Sequence, residues 1–353
     1  MREIVPIVMN TSLQRLAAID YYSSLIWTAR YYDVGDFEIC VPVNAENIGL
    51  FKYGNYILRE DDDHVGIIEK IQIQKNADSD ELLIVSGRFL SSIIGRRIIS
   101  RQIIISGTIP ACINGLLQNE ILNPQNSARK VSNMVFQNDT SVTSTMKAQY
   151  TGKNLLTTIE EICLTYGIGF KTILDDNDQF VFTLYEGVDR SYAQNVNPYV
   201  VFSNQYDNLV SSEYEENYEE MVTDVLVAGE GEGSARKMLW VTNNNERGLN
   251  RYEYFADRRD LQSNDGEVST ADYNAQLTEA GEECLTKYTA AFTGTVYFNN
   301  IEYRTDVNVG DICTIENSKW GLQIPIFVVY WYRKRLRSGR IRVCRQKRGS
   351  VTG

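Results

Sequence analysis

The chain has 353 residues, 43% of them hydrophobic and 23% charged, with a net charge of −11. That length exceeds what one hydrophobic core usually serves and predicts two or three domains. The acidic balance argues against general nucleic-acid binding, which needs cationic surface to displace counterions, and the longest apolar run, residues 324–332, is too short to span a bilayer.

The first third reads as strands. Phe37, Ile39, Val41 and Val43 alternate at the period of a strand in residues 36–43. Residues 53–59, 65–74 and 81–87 continue in the same style, with turns predicted at 61–64 and 78–81. The middle changes period. Ile109, Ile113, Leu116, Leu117 and Ile121 repeat at helical spacing, with Pro110 in the first turn and Pro124 past the end. Residues 125–150 are polar and read as loop or edge strand. A second helix carries Leu155, Leu156, Ile159, Ile162, Cys163 and Tyr166 on one stripe, and Gly167 suits its left-handed cap. That stripe is expected to bury against the strand predicted at 180–185. A strand at 199–202 and a helix near 271–288 follow.

One pattern occurs twice. KYGNYIL, GIIEKIQI and LLIVSGR near the start echo NVGDICTI, IFVVYWYR and RIRVCRQ near the end, with Gly54 and Gly310 at matching places. The echo predicts one small β-barrel used twice. The fold expected is mainly β with an α+β insertion: a first barrel in 1–107, a smaller helix-containing domain in 108–200, and a second barrel in 201–353 with a helical insert near 270–290.

Catalytic and ligand motifs are poorly supplied. His64 is the single histidine and follows three aspartates, which predicts an exposed hairpin tip and not a catalytic seat. The cysteines, at 40, 112, 163, 284, 313 and 344, form no CxxC pair, so neither zinc nor disulfides are expected. GEGEG at 229–233 lacks the third glycine of a dinucleotide loop and carries Glu230 and Glu232, which would repel a pyrophosphate. Asp175, Asn177 and Gln179 resemble a calcium loop, but Phe180 stands where glycine is needed. Glutamates at 213, 215, 216, 219 and 220 read as a solvated acidic face. No catalytic, metal or cofactor residue is assigned, and no enzyme activity is expected. One basic run stands out: Arg333, Lys334, Arg335, Arg337, Arg340, Arg342, Arg345, Lys347 and Arg348, with no acid among them. It is a solvated strand face or a seam for an acidic partner. Tyrosine, with 22 copies, suits interfaces.

In order along the chain, GIIEKIQIQ, LLIVSGRFLSSIIGRRII, GKNLLTTIEEICLTYGIGF, YEGVDRS, VVFSNQYDNLVSSEY, VLVAGEGEG, GLNRYEYFADRRDL and VNVGDICTIEN resemble siphophage tail proteins of the ReqiPepy type. The resemblance implies a virion structural protein of phages and prophages: a tail hub or baseplate subunit at the distal end of the tail tube. It implies a homotrimer in which each chain supplies two tube-like β-barrels, so that six units match a hexameric tube. The implied partners are the tail tube or distal tail protein and the spike, tip or tape-measure protein. Genome DNA would pass without specific binding, and this chain would insert in no membrane. With no signal peptide read at 1–10, synthesis and assembly are expected in the host cytoplasm. Trp27, Trp240, Trp320 and Trp331, spread along the chain, leave a receptor- or carbohydrate-binding tail protein as the alternative. A cell-wall hydrolase is a third reading.

Overall fold

The computed structural model describes residues 4–75, 81–287, 291–298, 301–334 and 339–345. The chain opens with β1 (Pro6–Met9), β2 (Arg15–Ala18), β3 (Ser24–Arg30) and β4 (Asp36–Pro42), where Phe37, Ile39 and Val41 are buried as their period predicts. A short helix α1 (Ala45–Leu50), capped by the Asn44 side chain, leads to β5 (Tyr56–Arg59), β6 (Asp62–Ile67), β7 (Lys70–Gln74) and β8 (Leu82–Arg88). The single strand predicted at 65–74 is thus two strands, broken at Ile68–Glu69. The turn predicted at 78–81 lies largely outside the described residues.

The middle comprises β9 (Ile103–Thr108), α2 (Ile109–Leu117), β10 (Met134–Asp139), β11 (Thr145–Tyr150), α3 (Leu155–Tyr166), β12 (Gly169–Leu174) and β13 (Phe180–Tyr185). Helix α3 begins where the Asn154 side chain accepts the Leu156 and Thr157 amides, and it stops at Gly167 with φ +69. Its Leu155, Ile159, Ile162 and Cys163 are fully buried. Helix α3 neighbours the turn at Leu90–Arg96, α4 (Thr270–Lys287) and α2, and its buried stripe shares one core cluster with Phe180, Phe182 and Leu184 of β13. The last third holds β14 (Val201–Ser203), β15 (Leu209–Asn217), β16 (Asp224–Ala228), β17 (Met238–Thr242), β18 (Glu253–Asp257), α4, β19 (Ala291–Phe298), β20 (Ile312–Asn317), β21 (Leu322–Lys334) and β22 (Gly339–Arg345).

Strands join into four sheets. The largest runs β15-β19-β22-β21-β3-β4-β8-β7, with β20 and β14 attached beside β21. A seven-stranded sheet runs β10-β13-β12-β6-β5-β1-β2; β9 pairs with β11, and β17-β16-β18 form a small sheet. The fold is mainly β with some helices. Among the described residues no sheet closes on itself, so the two barrels expected from the echo are not seen within the single chain. Instead β21 pairs with β3, which puts both halves of the chain into one sheet.

The echo itself is present in hydrogen-bond detail. Gly54 and Gly310 both adopt positive φ, +83 and +102. Gly54 N–H donates to Ile68 O at 2.9 Å, and Gly310 N–H to Val328 O at 2.8 Å. Ile68 N–H returns to Asn55 O at 2.8 Å, and Val328 N–H to Asp311 O at 2.9 Å. The strand orders also correspond. β3-β4-β8-β7 and β15-β19-β22-β21 are each four antiparallel neighbours in the same sequence order.

Tyr31 stands where these halves meet. Its buried ring packs edge-on against Phe327 and Tyr185, at centroid distances of 5.0 and 5.2 Å. Its hydroxyl donates toward Gly167 O and Tyr185 O and accepts from Gly187 N–H. Glycine makes room for the ring: a Cβ at Gly169 or Gly310 would lie 2.2 or 2.4 Å from it.

Most of the interior is one hydrophobic cluster running from Val8 to Val328. A second, smaller cluster of Val225, Val227, Val241, Tyr273 and Leu277 lies between β16–β18 and α4. This unit meets the main body through polar contacts. Tyr166 Oη donates to both carboxylate oxygens of Glu279 (2.8 and 2.9 Å), and Tyr150 Oη to Glu283 (2.7 Å). The buried side-chain amide of Gln276 and the Nε2 of Gln149 find no partner among the described residues. Burial pushes the Glu279 carboxyl up to about 7, helped by Glu283 and Glu282, although the Tyr166 bond opposes it. Its folded pKa is above the unfolded one, so the native state binds the extra proton. The contribution of this group to stability therefore falls as pH rises from about 4.5 to 7. Glu279→Gln should remove that slope and stabilise the protein at pH 8 by roughly 2–3 kcal/mol. Chemical denaturation of both forms at pH 5 and pH 8 measures the difference.

Candidate functional site

His64 is not the exposed tip that the aspartate run predicts. The chain turns at Glu60–Asp61, and His64 lies inside β6 with its side chain 12% exposed. Each neighbouring carboxylate has a basic partner. Asp61 receives a two-pronged bond from Arg59 at 2.9 and 2.6 Å. Asp62 is 2.6 Å from His64 Nδ1, and Asp63 meets Lys171 and Arg304. The His64 ring stacks on Phe89 at 4.8 Å, and Phe89 packs on Trp27, over which Arg59 sits. Burial alone would raise the Asp62 carboxyl. The His64 ring and the Arg59 guanidinium outweigh it and hold it well below the usual carboxylate range. The cluster ties β6 to β12 through Lys171 and to the approach to β20 through Arg304. It is a half-buried polar cluster on the β6–β12 pair of one sheet, reaching the segment before β20. His64→Ala should therefore destabilise the fold, by about 2–4 kcal/mol, because Asp62 keeps its burial and loses its ring partner. An unchanged denaturation midpoint would contradict this.

The other sequence candidates fall in surface structure. GEGEG forms the connection from β16 to β17, with Gly231 and Gly233 at positive φ. Asp175 Oδ1 accepts the Asn177 and Gln179 amides, a turn that feeds β13. Among the described residues, no group of three or more His, Cys, Asp or Glu side chains could hold a metal ion, and no helix is long and apolar enough to cross a membrane.

The charged runs fall in one sheet. Glu215, Glu216, Glu219 and Glu220 are exposed in and just after β15. Arg333 and Lys334 end β21, and Arg340, Arg342 and Arg345 belong to β22; Arg335, Arg337, Lys347 and Arg348 lie outside the described residues. Backbone register aligns Glu213 with Thr295 and Thr295 with Arg342. Only β19 therefore separates the acidic strand from a basic one.

Sequence reading missed the two ends of the large sheet, which begins at β15 and finishes at β7. Strand β7 is exposed along its length, including Ile71 (42%) and Ile73 (55%). Its alternation KIQIQ was the available signal. An exposed strand edge with apolar side chains is a template for pairing with another chain. Lys70 and Lys75 flank this edge, and the glutamates of the opposite end carry the complementary charge.

A family model described as Siphovirus ReqiPepy6 Gp37-like protein matches residues 5–326. Three solved structures are similar across nearly their whole length. A tail protein from Neisseria meningitidis MC58 has a TM-score of 0.59 at 12% identity, covering 98% of this chain and 97% of that one. Prophage tail protein gp18 from Listeria monocytogenes EGD-e has 0.58 at 12%, covering 98% and 95%. The 43 kDa tail protein of prophage MuSo2 from Shewanella oneidensis has 0.60 at 10%, covering 96% and 98%. At these identities the likeness is one of fold. No curated protein matches the chain by sequence.

Proposed function

The chain belongs to the Siphovirus ReqiPepy6 Gp37-like protein family, and from that premise we propose that it is a structural tail-hub subunit. Three copies form a closed ring at the distal end of the tail tube, in the virion tail, and seat the tip or spike below. The observation that carries this reading is the repeated unit. Within one chain, β21 of the second unit pairs antiparallel with β3 of the first. By the strand correspondence, β7 is the counterpart of β21 and β15 the counterpart of β3. The two outer ends of the sheet are therefore the same kind of edges that already join inside the chain. Strand β7 of one copy pairs with β15 of the next, Lys70 and Lys75 approach the neighbour's glutamates, and the contact repeats head to tail until it closes.

Three copies carry six units, drawn chiefly from 1–107 and 201–353, with 108–200 between them. Six units match a hexameric tube. Tube-like barrel closure then belongs to the ring and not to the single chain. The basic run from Arg333 to Arg348 is assigned to docking with the tube, distal tail or tape-measure protein. The role is mechanical, with no catalytic step, and DNA passes the acidic ring without specific contact. Cryo-microscopy of assembled particles tests this. Three copies at the distal tube end are expected; six copies, or a place along the shaft or on the capsid, would refute it.

A further inference from the structure

Residues 186–200, between β13 and β14, hold no helix or strand yet are densely bonded. Asp189 Oδ1 accepts the Ser191 amide, and Ser191 Oγ accepts that of Ala193. Gln194 Oε1 accepts the amides of Val196 and Asn197, both at 2.7 Å, while its Nε2 donates to Ser191 O and Asn197 O. Asn197 Nδ2 donates to Asp189 O. Two further bonds fasten the loop to β20: Arg190 N–H to Ile312 O, and Tyr192 N–H to Thr314 Oγ1. Arg190 Nε donates to Asp311, which is 1% exposed.

Ordering a loop costs about 1–2 kcal/mol per residue in backbone entropy. Here that cost is met by polar bonds, and the side chains so fixed are aromatic and outward. Tyr192 (41% exposed) and Tyr199 (51%) stand nearly perpendicular, with ring centroids 5.2 Å apart. Tyr206 (56%) joins them around an open cavity of about 540 Å³. Arg190, Asn208, Thr305 and Asp306 also line it. Single exposed tyrosines need no explanation. Three converging on a concavity beside hydrogen-bonding groups of both kinds describe a ligand site.

The lining selects the ligand class. Phenol rings offer apolar faces for C–H groups. Arg190 and Asn208 supply donors, and Thr305 and Asp306 supply acceptors; Arg190 is already paired with Asp311, so the Asp306 carboxylate disfavours an anionic ligand. A peptide main chain would look for open backbone amides, but those of 190–193, 196, 197 and 200 are taken by bonds within the loop and to β20. A pyranose has one apolar face and a rim of hydroxyls. We infer that the cavity at Tyr192, Tyr199 and Tyr206 binds a neutral sugar unit. The inference is independent of the ring and adds surface recognition to a structural subunit.

The test uses the purified full chain with free glucose, galactose, rhamnose and N-acetylglucosamine, read by saturation-transfer NMR. At least one sugar should bind, at about millimolar strength for a single open cavity. Tyr199→Ala should weaken it about tenfold or more, whereas Tyr199→Phe and the distant Tyr21→Ala should not. If Tyr199→Ala fails to fold, Tyr206→Ala reads the same contact. Absence of transfer to all four sugars overturns the proposal, as does equal binding by Tyr199→Ala and Tyr21→Ala. Loss of the trimer in Tyr199→Ala with no sugar signal in the wild type marks the face as a subunit contact and also overturns it.

Discussion

The double variant Ile71→Glu/Ile73→Glu is expected to fold as a monomer and to fail to close a ring. Both side chains lie on an exposed end strand, so the monomer should lose no more than about 0.5 kcal/mol per site. In the proposed ring they would be buried against the next copy. Losing about 1.5 kcal/mol from each weakens one contact by roughly 3 kcal/mol, more than a hundredfold. The new carboxylates would also face the acidic β15 end, where like charges across strands repel. Ile71→Lys/Ile73→Lys should be tolerated better, because lysine meets those glutamates. Sizing of assembled hubs, with melting curves as the folding control, checks both. Equal assembly by the Glu and Lys pairs would exclude β15 as the partner edge.

Gly310→Ala is expected to cost about 2–5 kcal/mol, and Gly54→Ala only about 1–2, although the two glycines occupy equivalent turns. Both substitutions place an L side chain at positive φ, worth about 1–2 kcal/mol. At Gly54 the added methyl meets nothing nearer than a Thr11 methyl at 3.6 Å. At Gly310 it would sit 2.4 Å from the Tyr31 ring, which is held on other sides by Phe327, Tyr185 and Gly169. Such overpacking adds about 1–3 kcal/mol. Tyr31→Ala should itself cost about 3–5 kcal/mol. The double variant Tyr31→Ala/Gly310→Ala should cost less than the sum, because the clash disappears with the ring. Urea midpoints give all four values, and strict additivity would show that the ring is not the obstacle.

These cases show which features a sequence displays. The turns at Gly54 and Gly310 were readable because their chemistry is local: a glycine, a polar residue and a strand. Helix α3 was readable for the same reason, with Asn154 before it, a stripe inside and Gly167 after. The join of β21 to β3 was not, since Tyr330 and Arg30 pair across most of the chain and neither announces the other. The echo therefore shows in matching turns and strand orders, whereas the barrel closure read from it is not seen within the single chain among the described residues. His64 was misplaced because three aspartates signal a turn, whereas burial came from Phe89 and the partner cations from Arg59, Lys171 and Arg304. The tyrosine cavity could not be read, because a loop held by side-chain bonds has no period.

The small second core has a consequence for how this protein can change. Asn217 and Ala291, which bracket residues 218–290, are register partners in β15 and β19. The chain thus leaves the sheet and returns one strand away, about 4.8 Å across. To the sheet, everything between is a hairpin tip. Whatever folds there needs termini that meet and a face that covers Tyr150, Tyr166 and α3, and its length enters the loop-closure cost only logarithmically. The site is a socket: lineages could exchange, enlarge or shed this cargo while every strand register stays the same. A ring built from such chains would display three copies of the cargo at equal spacing, without any change to the surfaces that hold the ring together.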